Sequence, residues 1–523
     1  MKEDNPDFLF DLAKNYAEGI GVEKDFIKAA ELYRKAAEQG HVEAKCKLGD
    51  CYAMGWGVEE DQKEAFEWYR IAAEKNLADA QYALGDYYFF GIGVEEDNNE
   101  AIEWYRKAAE QDHAKAQFEL GQCYFLGLGV EKNYTEAYQW YRKAAVQGHS
   151  EAQDLVGVCY IEGYGVEKDA VESVQWFRKA AEQKNAGAQF NLGNCYFYGR
   201  GVEIDEAQAV EWYRKAAEQG QIEAQYKLGE CFYFGQGIDE DEDEAVHWFR
   251  KAADQGDAKA QYRLGECFFY GNGVGEDESI AFEWFKKSAD QNNKNAQYSL
   301  GRCYFNGWGV QEDEEEAVEW FRKAAEQDHV KAQYELAECF FNGSGIEKDE
   351  PEAVYYYRKA AEQGHVEAAF KLGCCYDSGI GVEKDFINAF YCFFRAAEKG
   401  LADAQNSLGC CYYEGKGVEK NFEIAVQWFK KACIKNNILS LNNLGLCYQG
   451  GLGVGEDKIE AYAYFNLAGV KDKDAREKRD LLEKGMSMDQ IMEAQARTKE
   501  LKAEITGNKE TATEDDESDD LTI

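Results

Sequence analysis

Gly-x-Gly recurs at Gly19, Gly55, Gly91, Gly127, Gly163, Gly199, Gly235, Gly271, Gly307, Gly343, Gly379, Gly415 and Gly451. These are thirteen occurrences at a constant step of 36 residues, with no insertion or deletion between them. A period that strict, held over most of a 523-residue chain, is incompatible with a set of unrelated globular domains. It calls for one small unit stacked on copies of itself, because a unit of this length cannot bury its apolar face alone.

Within a unit the local signals are those of two helices. Asp25, Asp61, Asp97, Asp169, Asp205, Asp241, Asp277, Asp313, Asp349, Asp385 and Asp457, with Asn133 and Asn421, stand where an N-cap belongs. Glu64, Glu100, Glu136, Glu172, Glu244, Glu316, Glu352 and Glu460 follow three residues after their caps and predict capping boxes. Pro351 falls in a first turn, where its missing N–H is harmless. Ala65, Trp68, Tyr69, Ala72 and Ala73 then trace one buried face of a helix, here named B. It ends near Gly40, Asn76, Asp112, Gly148, Gly220 or Gly256, residue types that tolerate a left-handed C′ position. A second helix, A, follows at once. Its Ala80, Leu84, Gly85, Tyr87 and Tyr88 combine small residues for close approach with large ones to fill the gap. The Gly-x-Gly turn leads into the next N-cap.

Composition then removes whole classes of function. Apolar residues make up 45%, enough for an extended core, whereas the 100 acidic residues against 59 basic ones give a net charge of −41. Such a chain is repelled by nucleic acid phosphate and by anionic membranes, so no nucleic acid partner is expected. No stretch approaches eighteen apolar residues and Met1-Lys2-Glu3-Asp4 opens no signal peptide, so neither membrane insertion nor export is expected. Of the 16 cysteines, Cys51, Cys123, Cys159, Cys195, Cys231, Cys267, Cys303, Cys339, Cys375, Cys411 and Cys447 share one register. Copies one layer apart lie about 10 Å from each other, beyond the roughly 7 Å that a disulfide spans. They read as small apolar packing residues in a reducing, cytoplasmic setting.

No catalytic, cofactor or metal constellation emerges. The doublets Cys374-Cys375 and Cys410-Cys411 point their thiols about 100° apart on a helix, which disfavours a shared zinc. His41, His113, His149, His329 and His365 occupy one position before helix A and read as capping residues; His247 stands apart. No Gly-x-Gly turn extends to Gly-x-Gly-x-x-Gly. Asp239, Asp241 and Asp243 start like a calcium loop that lacks its Gly at position six and its Glu at twelve.

The combined pattern, Ala-x-x-x-Leu-Gly-x-x-Tyr-x-x-Gly-x-Gly-Val-x-x-Asp-x-x-x-Ala-x-x-Trp-Tyr-x-x-Ala-Ala, resembles the Sel1-like repeat, a relative of the tetratricopeptide repeat. The resemblance covers about residues 5–470. It implies an all-α fold: a right-handed α/α superhelical solenoid of thirteen 36-residue helix-loop-helix repeats plus C-terminal capping helices. Residues 471–506 are expected to form those capping helices, with Lys473–Lys484 as one and a second from Ser487 to about Ile505. Residues 507–523, with Glu514-Asp515-Asp516-Glu517, are expected to be an acidic disordered tail. Secreted relatives with two paired cysteines per repeat offer no framework here, since this chain mostly has one. Some relatives carry a β-lactamase label, which leaves a hydrolase or penicillin-binding protein as the alternative. No Ser in the chain has a Lys three positions later, as that serine chemistry requires.

The resemblance also implies where a partner sits, because the matching A-helix positions of tetratricopeptide arrays line the ligand-holding concave surface. Seven units carry aromatics at both ends of that stripe: Tyr82/Phe89, Phe118/Phe125, Phe190/Phe197, Tyr226/Tyr233, Tyr262/Phe269, Tyr298/Phe305 and Tyr334/Phe341. Between them stand Asp86, Gln122, Asn194, Glu230, Glu266, Arg302 and Glu338. Two uses fit this pattern. The rings line an aromatic strip with acidic teeth that holds protein or peptide segments bearing basic and apolar residues, or they pack between neighbouring A helices. The resulting expectation is a non-enzymatic protein-interaction scaffold or adaptor.

Overall fold

In the computed structural model, residues 5–516 are described, with side chains up to Thr506. Among the described residues there are 28 helices and no strand. Helix A covers Val42–Met54 in one unit and Ala78–Phe90 in the next, and helix B covers Gln62–Ala73 and Asn98–Ala109. This alternation runs from Pro6–Glu18 to Lys458–Ala468 and is followed by the helices Lys473–Glu483 and Met488–Asp516. The chain divides into two bodies, Met1–Ala260 and Gln261–Ile523. Each is a stack of paired helices, as the repeat predicts, and the fold is an α-solenoid.

The caps show why the helices start where they do. Asp61 Oδ1 accepts from the N–H groups of Lys63 and Glu64 at 3.0 and 3.1 Å, and Asp97, Asn133 and Asp169 do the same in their units. The reciprocal half of the expected capping box is missing. The N-cap's own N–H donates instead to a helix A carbonyl: Asp61 to Tyr52 at 3.0 Å, Asp97 to Tyr88 at 2.9 Å, Asp457 to Tyr448 at 2.9 Å. That backbone bond closes the Gly-x-Gly loop onto its own helix, so the Glu side chain finds no donor there.

Glycine is required at two places in the unit for two different reasons. Gly57 lies at φ +72, and a Cβ on it would stand 2.0 Å from the carbonyl oxygen of Phe26 at the start of the preceding helix B. Gly85 is helical, but a Cβ there would stand 2.5 Å from the ring of Tyr105. The Leu-Gly pair is therefore a slot into which the next helix B inserts its aromatic. Around that insertion Ala101, Ile102, Ala108, Ala109, Ala116, Leu120 and Cys123 form a closed core. Burying one such ring contributes about 2 kcal/mol. Trp104 remains partly buried against the preceding core of Tyr69, Leu84 and Tyr87, with the ammonium of Lys107 3.7 Å over its ring.

At the C-terminal end, Ala475, Leu482, Ala494, Leu501 and Ile505 close the core around Tyr462 and Phe465. Arg497 donates to Glu460 at 2.6 Å. The last helix continues to Asp516, past Gly507, where the sequence suggests that a disordered tail begins. The rest of that tail, 517–523, lies outside the described residues. Among the described residues no helix is long and apolar enough to cross a membrane.

Candidate protein-interaction face

Helix A presents its Ala80, Leu84 and Tyr87 side to the core, so residues two and six positions after Ala80 point elsewhere. The structure places all twenty-one residues singled out in the sequence at half-buried positions. Each aromatic pair flanks one ring of the following helix B. Tyr82 and Phe89 lie 6.0 and 6.4 Å from Tyr105; Phe118 and Phe125 lie 6.0 and 6.3 Å from Tyr141; Phe190 and Phe197 lie 5.8 and 6.2 Å from Tyr213. The same clasp holds Phe249 between Tyr226 and Tyr233, Phe285 between Tyr262 and Phe269, and Phe321 between Tyr298 and Phe305. Tyr334 and Phe341 hold Tyr357.

The polar residue between each pair has a partner that depends on that central ring. Where the ring is tyrosine, its hydroxyl donates inward: Tyr105 to Asp86 at 2.7 Å, Tyr141 to Gln122 at 2.9 Å, Tyr213 to Asn194 at 2.8 Å, and Tyr357 to Glu338. Where the ring is phenylalanine, the polar group turns to its own helix. Glu230 accepts from Tyr226 at 2.6 Å and from Lys227 at 2.7 Å, and Glu266 accepts from Tyr262 and Arg263. Arg302 lies over Trp308 at 4.7 Å.

The face carries both signs of charge. Burial and the neighbouring Asp86 push the Glu119 carboxyl up to about 7, and burial raises Asp86 itself. Burial also lifts Asp154 to about 6, although Asn191 donates to it at 2.9 Å. Lys371 pairs with Glu338 at 3.0 Å. Adjacent A helices thus touch through their polar residues, and the teeth are acidic only in places.

Two features of the stack lie beyond these residues. Gln81 is buried and donates to the Ala73 carbonyl of the preceding unit at 3.3 Å, while its Oε1 accepts from Gln111, just past the following helix B, at 2.7 Å. The link repeats as Gln147 to Gln117, Gln183 to Gln153, Gln219 to Gln189, Gln255 to Gln225, Gln291 to Gln261, Gln327 to Gln297 and Gln363 to Gln333, each at 2.7–2.8 Å. The glutamines are visible in the sequence at a 36-residue step, but only the stacking shows that each amide bridges two units. The second feature is the histidine register. His41, His113, His149, His329 and His365 cap helix A, each Nδ1 accepting from the N–H three residues on at 3.1–3.3 Å. Burial holds the His329 imidazole down at about 4. The buried thiols are likewise pushed up, Cys231 to about 12, and no disulfide forms among the described residues. Among them no group of three or more His, Cys, Asp or Glu is placed to hold a metal ion.

An all-helical stack whose units repeat a small-residue slot and one inserted ring, with Gln bridges through eight of them, is a tandem-repeat solenoid of the tetratricopeptide-related class. The Sel1 repeat family model matches thirteen consecutive segments, from 6–41 through 438–469. The chain belongs to the Sel1 repeat family. It is similar to a protective antigen of uropathogenic Escherichia coli that displays an SLR fold, with 37% identity over 83% of this chain and 94% of that one and a TM-score of 0.74. It is also similar to a Sel1 repeat protein from Oxalobacter formigenes, with 31% identity over 58% of this chain and 89% of that one and a TM-score of 0.47. No curated protein matches the sequence.

Proposed function

We propose that this Sel1 repeat protein is a non-enzymatic scaffold that holds segments of other proteins along the A-helix face. The observation that carries this reading is the recurrence of half-buried aromatic pairs on one face in seven units, with polar residues between them. Rings that are packed on one side and wet on the other supply rigid apolar contact, and the interleaved carboxylates attract basic side chains. The buried, unbridged thiols fit a reducing, cytoplasmic setting.

The test is capture of partners from lysate by the wild type and by a Tyr82→Ala/Phe118→Ala/Phe190→Ala variant, each also followed by thermal melting. Loss of specific partners beyond what the lowered melting temperature explains supports the strip. A variant that melts lower yet captures the same proteins assigns these rings to packing alone.

A further inference from the structure

Thirteen copies of helix B show what each of its positions needs for the fold, so a departure confined to one copy calls for another cause. Two residues before the inserted ring stands Glu, Gln or His in ten copies, and one residue after it stands Arg or Lys in eleven. The helix Phe386–Glu398 carries Tyr391 and Phe394 at those places around its own ring, Phe393. With Ile387 they form one outward row: Ile387 is 59%, Tyr391 60% and Phe394 38% accessible. Phe390, half-buried, stands 5.7 Å from Tyr391 and 6.3 Å from Phe394 and braces both rings from one side. The exchange forgoes a contact. Other copies send their arginine to a helix A hydroxyl, Arg106 to Tyr124 at 2.9 Å and Arg358 to Tyr376 at 3.0 Å, a bond that Phe394 cannot make. Arg395 ties the row to the preceding helix B through the Ala361 carbonyl at 2.9 Å, and that helix bears the one other tyrosine at this position, Tyr355, 46% accessible.

We infer that a second copy of this chain packs on this row, the two Phe386–Glu398 helices running antiparallel about a two-fold axis at Tyr391. The inference concerns helix B and stands apart from the A-helix reading. Ile387, Tyr391, Phe394 and Glu398 are spaced by four, three and four residues, the spacing of a seam between two packed helices. A two-fold contact must be self-complementary, and this one is. In the antiparallel pair Ile387 meets Phe394 of the second copy, and Glu398 meets its Lys384. Glu398 and Lys384 are exposed and form no ion pair with any described residue; Lys384 rests 5.0 Å over Phe386 at the start of the helix. A parallel pair would set lysine on lysine and glutamate on glutamate, and would align the helix dipoles rather than oppose them. The four accessible side chains leave roughly 350 Å² of apolar surface bare. A standard interface takes about 800 Å² from each partner, a little over half of it apolar, so the row supplies most of that share. Charges at physiological salt are screened within about 8 Å, so these local pairs outweigh the total of −41 at the seam.

Sedimentation velocity of the full chain, from micromolar to a few hundred micromolar at physiological salt, reads the association directly. A reversible dimer is expected in that range. Tyr391→Glu/Phe394→Arg gives the row the residue types that most other copies carry, so its melting temperature should hold while dimerisation weakens at least tenfold. Lys384→Glu alone should weaken the dimer several-fold, and Lys384→Glu/Glu398→Lys should restore it, because only an antiparallel pair brings those two positions together. A chain monomeric throughout, a dimer that the Tyr391/Phe394 variant leaves intact, or a double swap that restores nothing overturns the inference. A monomer whose Tyr391/Phe394 variant loses a partner from lysate gives the row to another protein, which overturns it equally.

Discussion

In Met1–Ala260 helix A ends on Glu18, Met54, Phe90, Leu126, Glu162, Tyr198 and Phe234, five of the seven apolar or aromatic, whereas in Gln261–Ile523 the same position passes from Tyr270 to Asn306, Asn342, Ser378, Glu414 and Gly450. The glutamine bridges divide the bodies in a similar way. In the first they start only at Gln81 and Gln111, Lys45 and Lys75 holding the positions before them; in the second they end with Gln363, after which Ala369, Lys399 and Lys435 occupy the bridging positions. Gln405 still donates to the Ala397 carbonyl at 3.2 Å, but its buried Oε1 finds no hydrogen-bond partner. Arg395 instead reaches back to the Ala361 carbonyl at 2.9 Å. Meanwhile the Gly slot, the inserted ring and the Asp or Asn cap persist in both. What is buried between layers is fixed by its neighbours, so the positions that change are those free to serve a partner or to set local stability.

The largest effect should come from one of the tightest glycines. Gly57→Ala places a side chain at positive φ and onto the Phe26 carbonyl, and is expected to cost about 3 kcal/mol in urea unfolding. Gly455→Ala in the second body has open space at ordinary φ and should be neutral within about 0.5 kcal/mol. Equal costs would mean that the loop glycine's contact with the preceding helix B is not what locks the layers.

A pair of reciprocal ring changes should come next. Tyr105→Phe removes one of the two tyrosine donors of the half-buried Asp86, leaving Tyr82, and is expected to cost about 1 kcal/mol. Phe321→Tyr in the second body faces Arg302 rather than an acceptor, and should also destabilise, by about 1–2 kcal/mol, despite adding a hydroxyl. Stabilisation by the second change would show that its unit can supply an acceptor.

Breaking one bridge should cost no more. Gln111→Ala exposes no new surface but strands the buried Gln81 Oε1, for about 1 kcal/mol. Lys399→Ala, at the corresponding place beyond the last bridge, should be close to neutral in the same unfolding assay.

The smallest effect is a tilt with pH. His329 must be neutral for Nδ1 to accept the Ala332 N–H, and its folded value near 4 lies below the ordinary 6.5. The unfolded chain therefore binds more protons between those values, so this contribution is lost as pH falls from about 6.5 toward 4. Glu119 in the first body has the opposite sign: raised from 4.5 to about 7, it favours the folded state as pH falls through that window. Urea midpoints measured from pH 4 to 7.5 should lose part of the acid-side decline in His329→Asn, because Asn185 and Asn293 cap the same position without titrating. Glu119→Gln should lose part of the opposing gain.

The architecture was legible because helix caps, glycine slots and apolar spacing are local and recur every 36 residues. The capping box was legible only in half, since the carbonyl that occupies the Asp61 N–H comes from a loop closure that spacing does not reveal. At the candidate face the sequence identified Tyr82 and Phe89 as an outward pair, yet not that they grip Tyr105, because that ring comes from the next helix B. Phe90 escaped notice for the opposite reason. One residue beyond Phe89, it has no spacing signal of its own, and only the packing leaves it exposed.

Each glutamine bridge joins residues thirty apart in sequence, and the tyrosine-to-acceptor bonds join residues nineteen apart. A chain emerging from a ribosome N-terminus first need therefore wait for only one further helix before the preceding layer is locked. Contacts this local favour rapid folding, and the growing protein can mature layer by layer with few strand-like edges exposed to its neighbours.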